Sequence, residues 1–199
     1  MELSRSSDGS LIGRDFFQRD PVNCARELVG CELIWGVTIS RIVETEAYAE
    51  AGDAACHTFF KPSARTFVQA HPAGTAYVYL NYGVHWMLNV LVKGEANGFV
   101  LIRALEPLVG MDLMAARRRL PIGTGLTSGP GKLTQALGID QSHHGIDLCI
   151  RRKAFFRLGR KPVNVLATER IGINRAQELL WRFVAEGNPH VSGKKVRQG

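Results

Sequence analysis

Apolar residues along this chain recur with two different spacings, and the switches between them mark its elements. Asp20-Pro21 opens a short amphipathic stretch, with Asp20 suited to a helix N-cap, Pro21 to the first helical position and Gly30 to the end. Residues 31–35 and 37–48 read as strands joined at Gly36. Residues 49–73 show no clear period and contain Pro62 and Pro72, which predicts a long loop; inside a compact domain such a loop is functional or disordered. Residues 75–80, 84–92 and 99–104 are β-branched and aromatic runs separated by turns at Asn81-Tyr82-Gly83 and at 93–98, the pattern of antiparallel hairpins. Glu106-Pro107 predicts the start of a helix reaching about Leu120, and the Gly-rich stretch 121–132 leads into a short helix ending near Gly138. Residues 147–151 and 163–173 read as further strands, and 177–184 fits helix or strand. Many strands with few βαβ units predict an α+β fold: a single domain with a curved, mostly antiparallel β-sheet flanked by short helices.

Composition narrows the class. A chain of 199 residues with 45% hydrophobic and 22% charged positions matches one ordinary globular core. No run approaches the roughly 20 apolar residues of a membrane span, and residues 1–14 lack the basic and apolar regions of a signal peptide. The expectation is a disordered leader over 1–14, a functional domain over 15–199, a cytoplasmic location and no membrane partner. The four cysteines (Cys24, Cys31, Cys56, Cys149) form no C-x-x-C pair, which predicts free, mostly buried thiols. His143-His144 has no acidic or cysteine neighbour at ligand spacing, so no metal is expected, and no cofactor motif is present.

Charge changes the picture more. Residues 151–199 carry twelve Lys/Arg against three Glu, a net +9, which leaves −2 for the rest of a chain with +7 overall. That asymmetry predicts a surface facing a polyanion, nucleic acid being the commonest.

The segment Arg41-Ile42-Val43-Glu44-Thr45-Glu46-Ala47-Tyr48 is the richest in chemistry. In a strand, Glu44, Glu46 and Tyr48 share one face, which is either a solvated face with an Arg41 ion pair or a pocket wall carrying a general base. Tyr77 and Tyr79 share a face of the next hairpin, with Tyr77 suited to the core. Tyr82 lies in the turn, where nothing local buries it and where an aromatic can wedge between bases. His57 is by default a surface histidine of the long loop. Arg103 follows the apolar run 99–102, which predicts a partly buried guanidinium with an anionic partner. In Thr127-Ser128-Gly129-Pro130-Gly131-Lys132, glycines, a hydroxyl and a lysine precede a helix, offering N–H groups to a phosphate; the segment is not a Walker motif.

Taken jointly and in order, RIVETEAY (41–48), the His57 closing AACH, GTAYVYLNYG (74–83), Asn89, VLIRALEP (100–107), SGPGKL (128–133) and ERIGI (169–173) resemble the 3-methyladenine DNA glycosylase family, the alkyladenine type also called methylpurine glycosylase. The resemblance spans about 130 of the 199 residues. It implies a glycosylase domain over 15–199, a mixed α/β fold around a curved antiparallel sheet, and a monomer acting on double-stranded DNA that contains a damaged purine. Glu46 matches the acid that deprotonates the attacking water, which Arg103 and the backbone carbonyl of Ile171 help to hold. Tyr48, His57 and Tyr79 match the walls of a flipped-base pocket, Asn89 a residue at its edge that discriminates against amino-bearing guanines, and Leu101 its floor. Tyr82 matches the intercalating wedge. Arg65, Ser128, Gly131 and Lys132 stand where phosphate contacts are expected. Val84-His85 after the wedge departs from the methionine common in relatives, Thr66 replaces the Asn that usually follows Arg65, and Cys56 stands where a small residue is common.

The mechanism implied is hydrolytic. A purine alkylated at N3 or N7 is already cationic, leaves without a proton donor, and is favoured by electron-rich Tyr48 and Tyr79 faces. The sugar passes through an oxocarbenium-like state while Glu46 takes the proton of water. No lysine acts as nucleophile, so no strand-cleaving lyase step is expected. Two other readings compete: a carbohydrate glycosidase using Glu44 and Glu46, ~6–7 Å apart along a strand, and a non-catalytic nucleic-acid-binding module.

Overall fold

The computed structural model describes residues 9–193. Asp20 caps α1 (Pro21–Leu28) by accepting from the Val22 and Asn23 N–H groups at 3.0 and 2.9 Å, which fixes the first helix where the sequence places it. The chain then turns through β1 (Glu32–Trp35) and β2 (Thr38–Ala49). Two short helices follow, α2 (His57–Phe60) and α3 (Pro62–Ala70), where a featureless loop was expected. Pro62 is the reason for the difference: it stands at the first position of α3, where a missing N–H costs nothing, and so starts a helix there.

The hairpin β3 (Ala76–Asn81) and β4 (His85–Lys93) leads to β5 (Asn97–Val109). The helix expected from Glu106 is not formed there; the strand continues to Val109, and α4 (Met111–Arg118) begins only after Gly110 at φ 84°. Glu106 opposes Arg41 on β2 and accepts from its guanidinium at 2.9 Å. Pro107 is tolerated because β4 pairs with β5 only over Asn97–Leu101 and residues 127–128 bridge that edge only at Ala104–Leu105, leaving it unpaired at Pro107. Next come α5 (Pro130–Leu137), ended at Gly138 as expected, β6 (Ala154–Arg157), β7 (Val165–Thr168) and β8 (Arg182–Ala185). Residues 147–151 form no strand beyond an isolated bridge of Asp147 to Thr75; the strand of this region is β6, which pairs with β1. The strand expected over 163–173 ends at Thr168, which lets the Arg170 side chain turn inward and the Ile171 N–H reach Glu46 while the Ile171 side chain stays exposed.

These strands make one eight-stranded sheet in the order β3-β4-β5-β2-β1-β6, with β8 pairing β2 and β7, and every pair is antiparallel. The fold is therefore α+β on a curved antiparallel sheet. β2 organises it. Its first part pairs β1, its later part pairs β8 at Glu44–Glu46, and β5 runs along its other edge with register shifts around Glu44. Bulges of that kind bend a strand and re-aim its side chains. One face carries the main core, into which α1 and α5 pack; Thr45 points that way and donates to the Ala25 carbonyl of α1 at 2.7 Å. A second, smaller core of Cys56, Ala64, Phe67, Tyr77, Leu91 and Phe99 lies beneath α2 and α3, with Tyr48 and Tyr79 packed against it.

Of the leader expected over 1–14, residues 1–8 lie outside the described residues. Residues 9–14 correct that expectation: Ile12 is buried and donates its N–H to the Phe156 carbonyl at 2.9 Å, and Arg14 pairs with Asp147 at 2.6 Å. All four cysteines are free and buried. Among the described residues no helix is long and apolar enough to cross a membrane.

Candidate active site

Period-two alternation on β2 turns Glu44, Glu46 and Tyr48 to the face away from the main core, as the sequence predicts, and the surroundings give the two carboxylates different lives. Both are completely buried. Glu44 is consumed by structure: Oε1 accepts from Arg103 Nε at 3.0 Å, Arg182 Nε at 2.7 Å and Ser192 Oγ at 2.9 Å, and Oε2 accepts the Ser192 N–H at 2.6 Å. Four bonds from two arginines and a serine elsewhere in the chain give Glu44 a structural role, which counts against a paired-carboxylate sugar hydrolase.

Glu46 has a different set of partners. Its Oε2 accepts from the Tyr48 hydroxyl at 2.8 Å and Arg103 Nη1 at 3.2 Å, and its Oε1 accepts the Ile171 N–H at 2.8 Å. Arg103 Nη1 also lies 3.5 Å from the Ile171 carbonyl. Burial raises the Glu46 carboxyl above its ordinary pKa, with Arg103, the Ile171 N–H and the Tyr48 hydroxyl pulling the other way. The alternative of a solvated strand face with an Arg41 ion pair is overturned: both carboxylates are buried, and Arg41 pairs with Glu106 at 2.9 Å, away from this cluster.

Above the cluster opens a cavity of about 580 Å³ whose lining includes Tyr48, His57, Tyr79, Asn89, Leu101 and Arg103, with Ile171 at its edge. Glu46 lies one layer beneath, covered by Tyr48, Arg103 and Ile171. His57 is not a surface residue: its ring sits 4.4 Å from that of Tyr79 and its Nδ1 is 3.1 Å from the Tyr77 hydroxyl. Burial, with Lys61 nearby, lowers its pKa to about 4, so the imidazole is neutral at pH 7. Asn89 is buried and donates to the Tyr77 carbonyl at 3.2 Å, and Leu101 is buried beside it in the register of β4 and β5.

At the cavity mouth stands Tyr82, 88% exposed, first of the three residues that connect β3 to β4. Tyr82 and Gly83 have φ of 51° and 69°, and Val84 donates its N–H to the Asn81 carbonyl at 3.0 Å, so both central residues of the turn are left-handed. The start of α5 reaches the same mouth through Pro130. There Gly131 lies so close to His85 that a Cβ on it would stand 2.7 Å from the imidazole ring. Lys132 is exposed and Ser128 half-buried nearby. Arg65 is turned back into its own loop, donating to the Thr58 carbonyl at 2.7 Å, so its guanidinium closes α2.

Three features escape sequence reasoning. Arg170 forms a two-pronged ion pair with Asp53 at 2.6 and 2.8 Å, both side chains fully buried, and its guanidinium lies 4.8 Å from the centre of the Tyr48 ring and 5.3 Å from that of Trp181. Lys61 places its ammonium 5.1 Å from the centre of the Tyr79 ring. Glu44 ties Arg103 to the C-terminal part of the chain through Arg182 and Ser192. Only ERIGI hinted at the first. Among the described residues no group of three or more His, Cys, Asp or Glu is placed to hold a metal.

Comparison with known proteins follows the same lines. A "Putative 3-methyladenine DNA glycosylase" of Methanoculleus marisnigri is 44% identical over 185 residues, covering 89% of this chain and 96% of that protein. Relatives of the same name from Chlorobium luteolum and Nitrosospira multiformis are 40% and 42% identical, covering 91% and 88% of this chain and 96% and 91% of theirs. The family model of methylpurine-DNA glycosylase matches residues 15–189, a span that holds every cavity residue named above. With that match over most of its length, this chain belongs to the methylpurine-DNA glycosylase family.

Proposed function

We propose that the protein is a monofunctional DNA glycosylase that takes an alkylated or deaminated purine (3-methyladenine, 7-methylguanine, hypoxanthine) out of duplex DNA and hydrolyses its bond to the sugar, initiating base excision repair. One observation carries the reading: Glu46, fully buried, is held by Arg103, Tyr48 and Ile171 directly beneath an aromatic-walled cavity. A base cannot be attacked at its sugar carbon while stacked, so the nucleotide turns out at a cost of roughly a few kcal/mol, least where a lesion has weakened pairing. Tyr82 fills the gap it leaves. The extruded purine enters between Tyr48 and Tyr79 beside neutral His57, with Leu101 beneath it and Asn89 at the edge where an amino group at the purine 2-position would intrude.

Water held by Arg103 and the Ile171 carbonyl attacks the sugar carbon as the glycosidic bond breaks, and Glu46 takes its proton. The ionised carboxylate also stabilises the positive charge that develops on the sugar. Among the described residues no lysine lines the cavity, and the attacking group in this reading is water, so the product is an abasic site in an intact strand. The catalytic unit is a monomer. Phosphates on either side of the flipped nucleotide meet Ser128, the Gly131 N–H and Lys132 at the start of α5, with Arg65 holding the neighbouring loop.

The test is Glu46→Gln, assayed with a duplex carrying one lesion. Binding should persist while base release falls by about 10²–10⁴-fold or more, the range a general base supplies. Undiminished release would remove Glu46 from the reaction.

A further inference from the structure

We propose that Lys61 is a specificity-determining residue: its ammonium over Tyr79, matched by the Arg170 guanidinium over Tyr48, gives each stacking wall a protein cation, which tilts selection toward neutral purine lesions and away from cationic ones. This rests on the glycosylase reading above and names the lesion class that the same cavity favours. Electron-rich tyrosine faces alone would favour a cationic purine. Here those rings are already engaged, at 5.1 Å by Lys61 and 4.8 Å by Arg170, and neither cation lines the cavity, so each acts on the base across a ring.

The two charges are not equivalent. Arg170 is balanced by its ion pair with Asp53, whereas among the described residues no carboxylate pairs with Lys61. The field of Lys61 reaches the cavity, since it adds to burial in holding His57 neutral.

The chemistry runs in the same direction as the binding. When the bond from the sugar carbon to the purine N9 breaks, its electron pair goes to the purine, the hydroxide of water joins the sugar and the remaining proton passes to Glu46. A purine alkylated at N3 or N7 starts with a positive charge and leaves neutral. A neutral purine such as hypoxanthine leaves with a negative charge. A fixed cation behind the wall repels the first on entry and stabilises the second on departure. Across one ring, at the effective dielectric of a partly buried site and with allowance for solvent around Lys61, the effect is about fivefold to tenfold.

Single-turnover base release from matched duplexes carrying hypoxanthine or 7-methylguanine reads this directly. Lys61→Met keeps the aliphatic reach and removes the charge; the hypoxanthine-to-7-methylguanine rate ratio should fall by about fivefold to tenfold. Lys61→Arg should hold the wild-type ratio, and Lys132→Met, which removes an exposed cation by the mouth, should slow both lesions alike. An unchanged ratio in Lys61→Met, a shifted ratio in Lys61→Arg, or an equal shift in Lys132→Met overturns the inference while leaving the glycosylase reading in place. Failure of the wild-type protein to release either base would overturn the glycosylase reading itself.

Discussion

Tyr82 occupies a backbone conformation that its side chain does not favour. At φ 51°, ahead of Gly83 at 69°, it holds a turn position usually given to Asn, Asp or Gly, and left-handed non-glycine backbone costs about 1 kcal/mol or more. An exposed aromatic ring held there against local preference fits a role in contact with DNA. Tyr82→Asn suits the turn and removes the ring, so thermal unfolding should stay level or rise slightly while affinity for a lesion-bearing duplex, read by fluorescence anisotropy, drops about tenfold or more. Equal affinity would refute the wedge. Glu46 supplies a second test at this scale. Because burial raises its carboxyl, the acidic limb of the rate profile should lie above the ordinary glutamate value of about 4.3, with base release lost as pH falls through that limb. The shared face of Glu44, Glu46 and Tyr48 was legible because strand alternation is a local property. The fate of Glu44 was not: its partners Arg103, Arg182 and Ser192 lie 59 to 148 residues away, and no local pattern announces them.

Elements were legible wherever a cap or a turn wrote their ends. Asp20, Gly36, Asn81-Tyr82-Gly83 and Gly138 all bound what they predict. Proline was the misleading signal, in both directions. Pro62 suggested a break but starts α3, and Pro107 suggested a helix start but rides an open strand edge, because the meaning of proline depends on which neighbours need its missing N–H. At the cavity mouth α5 closes against the β3–β4 hairpin through Gly131, which packs on His85. Gly131→Ala should push these apart and lower lesion binding by more than it lowers thermal stability. His85→Ala, by clearing the ring, should restore binding in the double variant, a coupling that a double-mutant cycle measures. Independent effects at the two positions would show that the contact does not set the mouth.

At the scale of the whole molecule, the charge split between the halves of the chain has a second meaning. It was read as a sign of a polyanionic partner, yet three of the twelve cations after residue 150 are spent inward: Arg157 on Glu32 at 2.5 Å, Arg170 on Asp53 and Arg182 on Glu44. Composition counts such charges but cannot tell a buried pair from a solvated one. Stability should carry a pH signature too. His57 has its pKa lowered to about 4 from 6.5, so between those values the unfolded chain binds the proton that the folded one refuses, and stability rises with pH across that window. Denaturant midpoints measured from pH 4.5 to 7 should climb, and His57→Gln should flatten the slope; an identical slope would show that other groups dominate. The pairs at Glu44 and Asp53 also fasten the region from Arg170 to Ser192 onto β2 and the loop that follows it, and that region brings the Ile171 N–H to Glu46. Such a buckle ties chemical competence to the docking of that region. A molecule in which it had come undocked would be catalytically silent even with the strands from β1 to β6 still paired.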